Sequence, residues 1–191
     1  MELHSQYLES VKKLLLYYKT LGEKAIEQID ENQLFATWND NTNSISVIIK
    51  HLHGNMLSRW TDFLTTDGEK PWRNRDDEFI ETYTSKTEVL AKWEEGWKCL
   101  FDALQNLKPE EFSTIVYIRN EGHTVVDALN RQLAHYSYHV GQIVFYAKLL
   151  KQSEWNSLTI PKNQSKTYNS DKFSKEKHLK SFTEDELKRL Q

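Results

Sequence analysis

Apolar residues recur at intervals of three and four along most of the chain, which is the spacing of one face of an α-helix. Only six glycines and three prolines interrupt the pattern. It predicts four long helices, over about residues 3–29, 45–63, 89–104 and 129–147. Because each helix has a single apolar stripe to bury, we expect an all-α fold built as a four-helix bundle.

Polar residues at the predicted helix starts support these boundaries. The polar segment 40–44 precedes the second helix and offers side chains that can cap its first turn. Ser85 with Glu88 has the spacing of a capping box ahead of the third helix. Thr124 with Asp127 has the same spacing ahead of the fourth helix.

The sequence predicts a different structure for each segment outside the long helices. Residues 65–84 form a connection longer than a simple reversal requires, so we expect a crossover between parallel neighbours that also forms a pocket wall. The short stretch 113–118 is β-prone. Apolar residues within 155–161 predict an extended strap across the bundle. We therefore expect one domain over residues 1–162.

The last part of the chain, residues 163–191, is rich in Lys, Ser, Asn, Asp and Glu. Such a composition buries little apolar surface, so we expect a polar tail that is weakly ordered. Thr183, followed three residues later by Glu186, could cap a short terminal helix that ends at Leu190.

Composition and charge narrow the class of protein. With 191 residues, 38% of them hydrophobic, the chain can bury one core. The net charge of −3 predicts no attraction to nucleic acid or to an anionic membrane surface. A single cysteine, Cys99, excludes an internal disulfide and fits a reducing compartment. The start of the chain lacks a signal-peptide pattern and no apolar run approaches about 20 residues, so we expect a cytoplasmic protein.

Two pairs of histidines suggest a metal site between two helices. His135 and His139 lie four residues apart, about 40° around the helix axis and about 6 Å along it, so both imidazoles can reach one ion. His51 could supply a third imidazole from the second helix, whereas His53 lies about 200° away from it around the axis. Three imidazoles without cysteine fit an open catalytic zinc site better than a closed structural one. The alternative is that these histidines form hydrogen bonds within the packed helices.

Two motifs resemble the DinB/YfiT-like superfamily of metalloenzymes, in particular a branch without an assigned activity. They are KHLHGN at residues 50–55 and AHYSYHVGQI at residues 134–143. The same branch resembles this chain in RWTDF at residues 59–63, DGEKP at residues 67–71 and SLTIPK at residues 157–162. The resemblance covers about the first four-fifths of the chain.

The resemblance implies a four-helix bundle with up-down-down-up order, frequent homodimers and a divalent metal held by three histidines. Carried over residue by residue, the ligands are His51, His135 and His139. His53 matches no ligand position. Imidazole suits several transition metals, of which we favour zinc or nickel. Some members of the superfamily resemble transferases or isomerases that use mycothiol, bacillithiol or glutathione.

Three functions are compatible with such a site. The leading hypothesis is a metal-dependent enzyme that activates a low-molecular-weight thiol for transfer to an electrophile, because a divalent ion lowers the pKa of a bound thiol or water. The alternative enzyme is a hydrolase that uses metal-bound hydroxide. The alternative outside enzymes is a non-catalytic, stress-related dimeric bundle. The expected partners are a small-molecule substrate and a second copy of the chain, with no nucleic acid and no membrane.

A few polar residues are candidates to support this chemistry. Asn55 and Gln142 lie near the implied ligands and could orient a ligand or a bound water. Arg131 could bind the carboxylates of a small anionic thiol through bidentate contacts. Three further arginines could do the same: Arg73, Arg75 and Arg119. The alternative for each arginine is an ion pair with one of the abundant acidic residues.

Overall fold

The computed structural model describes residues 3–191, and most of them lie in α-helices. The helices of this part are α1 (Leu3–Glu27), α2 (Glu31–Phe35), α3 (Ile45–Trp60), α4 (Lys86–Asn106), α5 (Val125–Lys151), α6 (Ser165–Phe173) and α7 (Phe182–Leu190). Two strands, β1 (Ile115–Ile118) and β2 (Glu121–Thr124), pair as an antiparallel hairpin. Short 3-10 turns lie at Asp76–Phe79, Pro109–Ser113 and Gln152–Glu154. The mostly helical class is confirmed, and none of these helices has the length and apolar character that crossing a bilayer requires.

The long helices α1, α3, α4 and α5 cover the four predicted apolar stripes. The side chains of Ser44, Ser85 and Thr124 each accept a hydrogen bond from the amide of the third helical residue, as N-caps do. Helix α3 ends at Trp60, earlier than expected, and Asp62 just beyond it has a φ of 48° that no helix can contain. Local capping chemistry therefore sets where these helices begin.

A continuous apolar core lies between the long helices. Helix α1 packs chiefly on α5 and α3 chiefly on α4, while α5 also contacts α3. The largest buried side chains between them are Trp93 and Trp97 of α4 and Tyr136 of α5. This packing brings together the faces of α3 and α5 that carry the predicted histidines.

The connection between α3 and α4, residues 61–85, is bound to the β hairpin. The Asp67 carboxylate accepts hydrogen bonds from the backbone amides of Arg119 and Asn120, at 2.9 and 2.8 Å. The sequence indicates β structure only over residues 113–118, because the second strand is short and polar and has no apolar alternation. The connection and the hairpin together contribute to the wall of a cavity beside α3 and α5.

The segment after α5 returns to the bundle. Trp155 and Leu158 are partly buried against the core, which agrees with the expected strap. Helix α7 covers the expected terminal helix and packs on α1, but its N-cap is Ser181, while Thr183 is buried within its first turn. Helix α6 has no counterpart in the sequence prediction, and none of its residues is buried. The division of the chain at residue 162 stays a prediction.

Candidate metal centre

Three imidazoles meet where α3 packs against α5. His51 lies on α3, and His135 and His139 lie one turn apart on α5. Nε2 of His135 is 3.3 Å from Nε2 of His51 and 3.1 Å from Nε2 of His139. One nitrogen from each ring lies within 4.8 Å of the other two. The structure thus brings the three histidines into a group that could hold a metal ion.

The Nδ1 atoms of two of these rings face hydrogen-bond acceptors. Nδ1 of His51 lies 2.8 Å from a carboxylate oxygen of Glu78, and Nδ1 of His139 lies 2.7 Å from Oε1 of Gln142. Because an ionised carboxylate and an amide oxygen only accept, each Nδ1 carries the proton in the neutral ring. The Nε2 atoms of His51 and His139 therefore present lone pairs toward His135.

These converging lone pairs fit a cation. A neutral His135 has one N–H, so its Nε2 can donate a hydrogen bond to only one of the two Nε2 lone pairs that face it. Its own Nδ1 is buried and has no hydrogen-bond partner within residues 3–191. Nitrogens bound to a tetrahedral zinc at about 2.0–2.1 Å stand about 3.3 Å from one another, close to the observed 3.1 and 3.3 Å. The residues present therefore fit a divalent metal with nitrogen ligands.

Burial favours the neutral form of two of these rings. Burial, together with the neighbouring His139 and His51, lowers the pKa of His135 to about 3. Burial also lowers the pKa of His139, although the hydrogen bond to Gln142 opposes this shift. Since a metal binds the neutral imidazole, these pKa shifts favour metal binding near neutral pH.

Glu78 is the main residue of this site that the sequence did not reveal. It lies in the 3-10 turn Asp76–Phe79 of the crossover connection and is only 6% exposed. Arg73 donates to its carboxylate from Nε at 2.7 Å and from Nη2 at 3.0 Å. Burial alone would raise the pKa of Glu78, but the hydrogen bonds from His51 and Arg73 hold it below its usual range. Glu78 is thus an ionised carboxylate that orients His51, an arrangement common beside metal-bound histidines.

Gly54 allows Glu78 to approach α3 closely. A Cβ at this position would collide with the Glu78 carboxylate. Glycine in a helix interior costs about 1 kcal/mol relative to alanine, so a glycine three residues after His51 indicates a close contact at that point. This glycine is the one signal in the sequence that could have indicated a group packed beside His51.

A cavity of about 290 Å³ lies beside the imidazoles, and its electrostatic character is set by arginine. Its walls include His51, His135, Asn55 and Gln132, together with Arg59, Arg73, Arg75, Arg119 and Arg131. Two carboxylates pair with this arginine set: Glu78 contacts Arg73, and Glu69 contacts Arg59, Arg73 and Arg119. Within the described residues, five guanidinium groups therefore face two paired carboxylates. The cavity has an excess of positive charge.

The two candidates for orienting a ligand occupy different places. Gln142 contacts His139 directly, as expected of such a residue. Asn55 lines the cavity, but its Oδ1 accepts a hydrogen bond from the Tyr136 hydroxyl at 3.1 Å and the Tyr136 oxygen accepts another from Nε1 of Trp60 at 2.9 Å. Asn55 is therefore anchored to the core and contacts none of the three histidines through a hydrogen bond within residues 3–191.

The remaining candidates, His53 and the arginines, lie in different surroundings. Nε2 of His53 lies 3.1 Å from a carboxylate oxygen of Glu95, and His53 is not part of the three-histidine group. Arg131 lines the cavity, where its Nη1 is 3.3 Å from Nε2 of His123. The three other arginines singled out from the sequence line the same cavity.

Comparison with known proteins adds a family but no activity. The model of a family described as "Protein of unknown function (DUF1572)" matches residues 2–164. No curated protein and no solved structure matches the chain. The matched range includes all three histidines, Glu78 and the five arginines of the cavity, and it ends just before α6 begins. The function has to be argued from the site itself.

Proposed function

The chain belongs to this family of unknown function, and we propose that it is a metal-dependent enzyme that activates a low-molecular-weight thiol for transfer to an electrophile. The observation that carries the proposal is the convergence of three imidazole nitrogens beside a cavity that His51 and His135 line. Structural zinc normally has four protein ligands. Within residues 3–191 the group that could hold the metal has three, which supports a position left for a small molecule.

Two side chains of the protein, Glu78 and Gln142, prepare the three-histidine group to bind a metal. When bound, a divalent metal would supply the positive charge that lowers the pKa of a thiol beside it. Glu78 and Gln142 fix the proton of His51 and of His139 on Nδ1, so that both Nε2 atoms remain free to bind. In the proposed reaction the thiol proton leaves to solvent, the sulfur forms a bond to an electrophilic carbon, and the leaving group departs with the bonding electrons.

Thiol transfer is favoured over hydrolysis by the state of the carboxylates near the cavity. An attacking water commonly needs a general base to take its proton. Glu78 is occupied by His51 and Arg73, and Glu69 is occupied by three arginines. A thiol has a far lower pKa than water, so beside the same metal it loses its proton more readily and without a dedicated base. This engagement of both carboxylates supports the transferase over the hydrolase.

Metal analysis combined with a thiol assay tests the proposal. We expect untagged protein to contain near-stoichiometric zinc or nickel, and His51→Ala and His135→Ala to lose it, while His53→Ala keeps it. The metal-loaded protein should accelerate the reaction of glutathione or cysteine with 1-chloro-2,4-dinitrobenzene, followed by absorbance. Equal rates with metal-loaded and metal-free protein would rule out metal-dependent thiol transfer.

We also propose that the long helices follow the up-down-down-up order of the DinB/YfiT-like superfamily. The pairing of α1 with α5 and of α3 with α4 supports this order, as does the long connection over residues 61–85, since parallel neighbours need a crossover along the bundle. A homodimer is the assembly we propose for this bundle. Light scattering coupled to size-exclusion chromatography measures the mass of the protein in solution. A mass of 22.7 kDa, which is that of one chain, would contradict the dimer.

A further inference from the structure

Arginines from three separate parts of the chain reach the same cavity. Arg75 precedes the 3-10 turn of the crossover connection, Arg119 lies in the turn of the β hairpin and Arg131 lies on α5. All three line the cavity that also contains His51 and His135. Since like charges repel, bringing three guanidinium groups to one cavity is unfavourable unless a negative charge lies among them.

The carboxylates of the protein neutralise these arginines only in part, because Arg119 shares Glu69 with two other arginines and the other two have no carboxylate partner within residues 3–191. Glu78 and Glu69 pair with the more deeply placed Arg73 and Arg59, and Glu69 also contacts Arg119. Within residues 3–191, no ion pair is formed by Arg75 or Arg131. The Arg75 guanidinium lies over the Phe79 ring, 4.9 Å from its centre, so its position is set without a carboxylate.

Besides Nδ1 of His135, two buried polar atoms in the cavity wall lack hydrogen-bond partners within residues 3–191. Oε1 of Gln132 and Nε of Arg59 have no hydrogen-bond partner in the described part of the chain. Gln132 is 4% exposed and Arg59 is 8% exposed, and both residues line the cavity. A buried polar group without a partner costs about 1–3 kcal/mol, so such groups commonly meet a ligand. A ligand that satisfies both atoms presents an acceptor oxygen and an N–H or O–H donor.

The hairpin turn places Arg119 on the cavity wall. Arg119 and Asn120 are the two residues between β1 and β2, and their φ values of 56° and 63° are both positive, as in a two-residue type I′ hairpin turn. The Asp67 carboxylate accepts hydrogen bonds from both backbone amides and so fixes the turn. The position of Arg119 is therefore set by the backbone of the hairpin and by its contact with the connection.

We infer that Arg75, Arg119 and Arg131 form an anion-binding subsite that selects a substrate with at least two negative charges. The inference rests on the proposed function and specifies the class of its substrate. A monoanion would leave most of the excess guanidinium charge in the cavity uncompensated. Two carboxylates, or one phosphoryl group, match both the charge and the bidentate geometry of arginine.

Anion titrations on the zinc-loaded, full-length protein test the subsite. Succinate, inorganic phosphate and acetate are titrated by calorimetry at one fixed ionic strength. We expect succinate or phosphate to bind at least tenfold more tightly than acetate. Tighter binding of succinate assigns a dicarboxylate substrate, and tighter binding of phosphate assigns a phosphoryl group. Equal affinities for all three anions would overturn the subsite.

Substitutions locate the binding. The combined variant Arg75→Gln, Arg119→Gln and Arg131→Gln should lose the preference for dianions by tenfold or more. Arg131→Gln alone should weaken dianion binding severalfold and serves if the combined variant does not fold, because within residues 3–191 the Arg131 side chain has a hydrogen-bond contact only with His123. Arg189→Gln is the matched control, because Arg189 lies on α7 in an ion pair with Glu186. An equal loss in the control would overturn the assignment.

The zinc content of the same samples separates this inference from the proposed function. Zinc binding without a preference for dianions overturns the subsite and leaves the metal-dependent enzyme standing. A preference for dianions in protein that takes up no zinc supports the subsite and overturns the metal-dependent enzyme.

Discussion

The three-histidine group and the part of the cavity wall that lies outside the helices are built in different ways. The group consists of His51, His135 and His139, whose positions follow from the regular geometry of α3 and α5 and from the packing of these helices. The other part, with Arg73, Arg75 and Arg119, comes from the irregular connection 61–85 and from the hairpin, which are held by hydrogen bonds such as those of Asp67. Helix packing therefore sets the candidate metal ligands, and long-range polar contacts set part of what surrounds them.

The difference appears most clearly in how two ligands are oriented. His139 is held by Gln142, three residues further along the same helix. His51 is held by Glu78, 27 residues away in the connection, and Glu78 is in turn held by Arg73. If this contrast is correct, loss of the long-range support from Glu78 should weaken metal binding more than loss of the local support from Gln142.

The largest effect is expected from Glu78→Ala. The change removes the acceptor of His51 and leaves Arg73, whose side chain is 2% exposed, without its buried partner. Loss of the orienting carboxylate should lower zinc affinity about 10–100-fold. Because Arg73 would keep only its 3.4 Å contact with Glu69, the free energy of unfolding should fall by up to about 3–5 kcal/mol. Competition with a chromophoric chelator measures the affinity, and urea unfolding of the metal-free protein measures the stability.

The matched control for Glu78→Ala is Glu95→Ala. Glu95 also pairs with a histidine, but that histidine is His53, which lies outside the three-histidine group. Zinc affinity should stay unchanged in the control. Equal zinc affinity of Glu78→Ala and the unmodified protein would contradict the role assigned to Glu78.

A pair of glycines provides the second prediction. Gly54→Ala introduces a Cβ that collides with the Glu78 carboxylate, so it should destabilise the protein by about 1–3 kcal/mol and weaken zinc binding. At Gly141 of α5 a Cβ meets nothing within 4 Å, so Gly141→Ala should stabilise the protein by up to about 1 kcal/mol through helix propensity. Thermal unfolding with and without zinc compares the two variants. Stabilisation by both would show that Glu78 does not need its place beside Gly54.

A smaller effect is expected at the local support of His139. Gln142→Leu removes two neutral hydrogen bonds, of which only the one with Nδ1 of His139 supports the imidazole, so zinc affinity should fall by no more than about tenfold. Gln142→Glu keeps an acceptor for Nδ1 and should retain the affinity of the unmodified protein. The same chelator competition measures both variants. If Gln142→Leu weakened binding as much as Glu78→Ala, the contrast between local and long-range support would be wrong.

The same contrast explains what the sequence could predict. The apolar period and the caps at Ser44, Ser85 and Thr124 located the long helices because both depend on neighbours within a few residues. The pair His135 and His139 was found for the same reason, whereas His51 was assigned to the site from the motifs that resemble a known superfamily. The hairpin partner β2 was missed because its polar strand is defined by pairing with β1 rather than by its own pattern.

Glu78 was missed for a related physical reason. Nothing in the residues around it distinguishes it from the other acids of the connection, and its role arises only from contact with His51 and Arg73. The convergence of the arginines could not be predicted either, because it depends on the fold of the connection and the hairpin against α5. Gly54 alone indicates part of this arrangement in the sequence, because a glycine inside a helix points to a close contact at that position.

The smallest effect concerns the contact that joins the connection to the hairpin, and it depends on pH. Burial alone would raise the pKa of Asp67, but hydrogen bonds from backbone amides of the hairpin turn and of Glu69 lower it overall. Because the folded-state pKa lies below that of the unfolded chain, the stabilisation is fully present above the unfolded value of about 3.9 and is lost as the pH falls through the folded value. Asp67→Asn should therefore be less stable by about 1 kcal/mol at pH 7, and this difference should shrink in acid. Urea unfolding from pH 7 to pH 2 measures it, with Asp102→Asn, in an exposed ion pair with Lys98, as the control. A stability difference that stays constant over this range would show that the Asp67 carboxylate does not hold the hairpin through its charge.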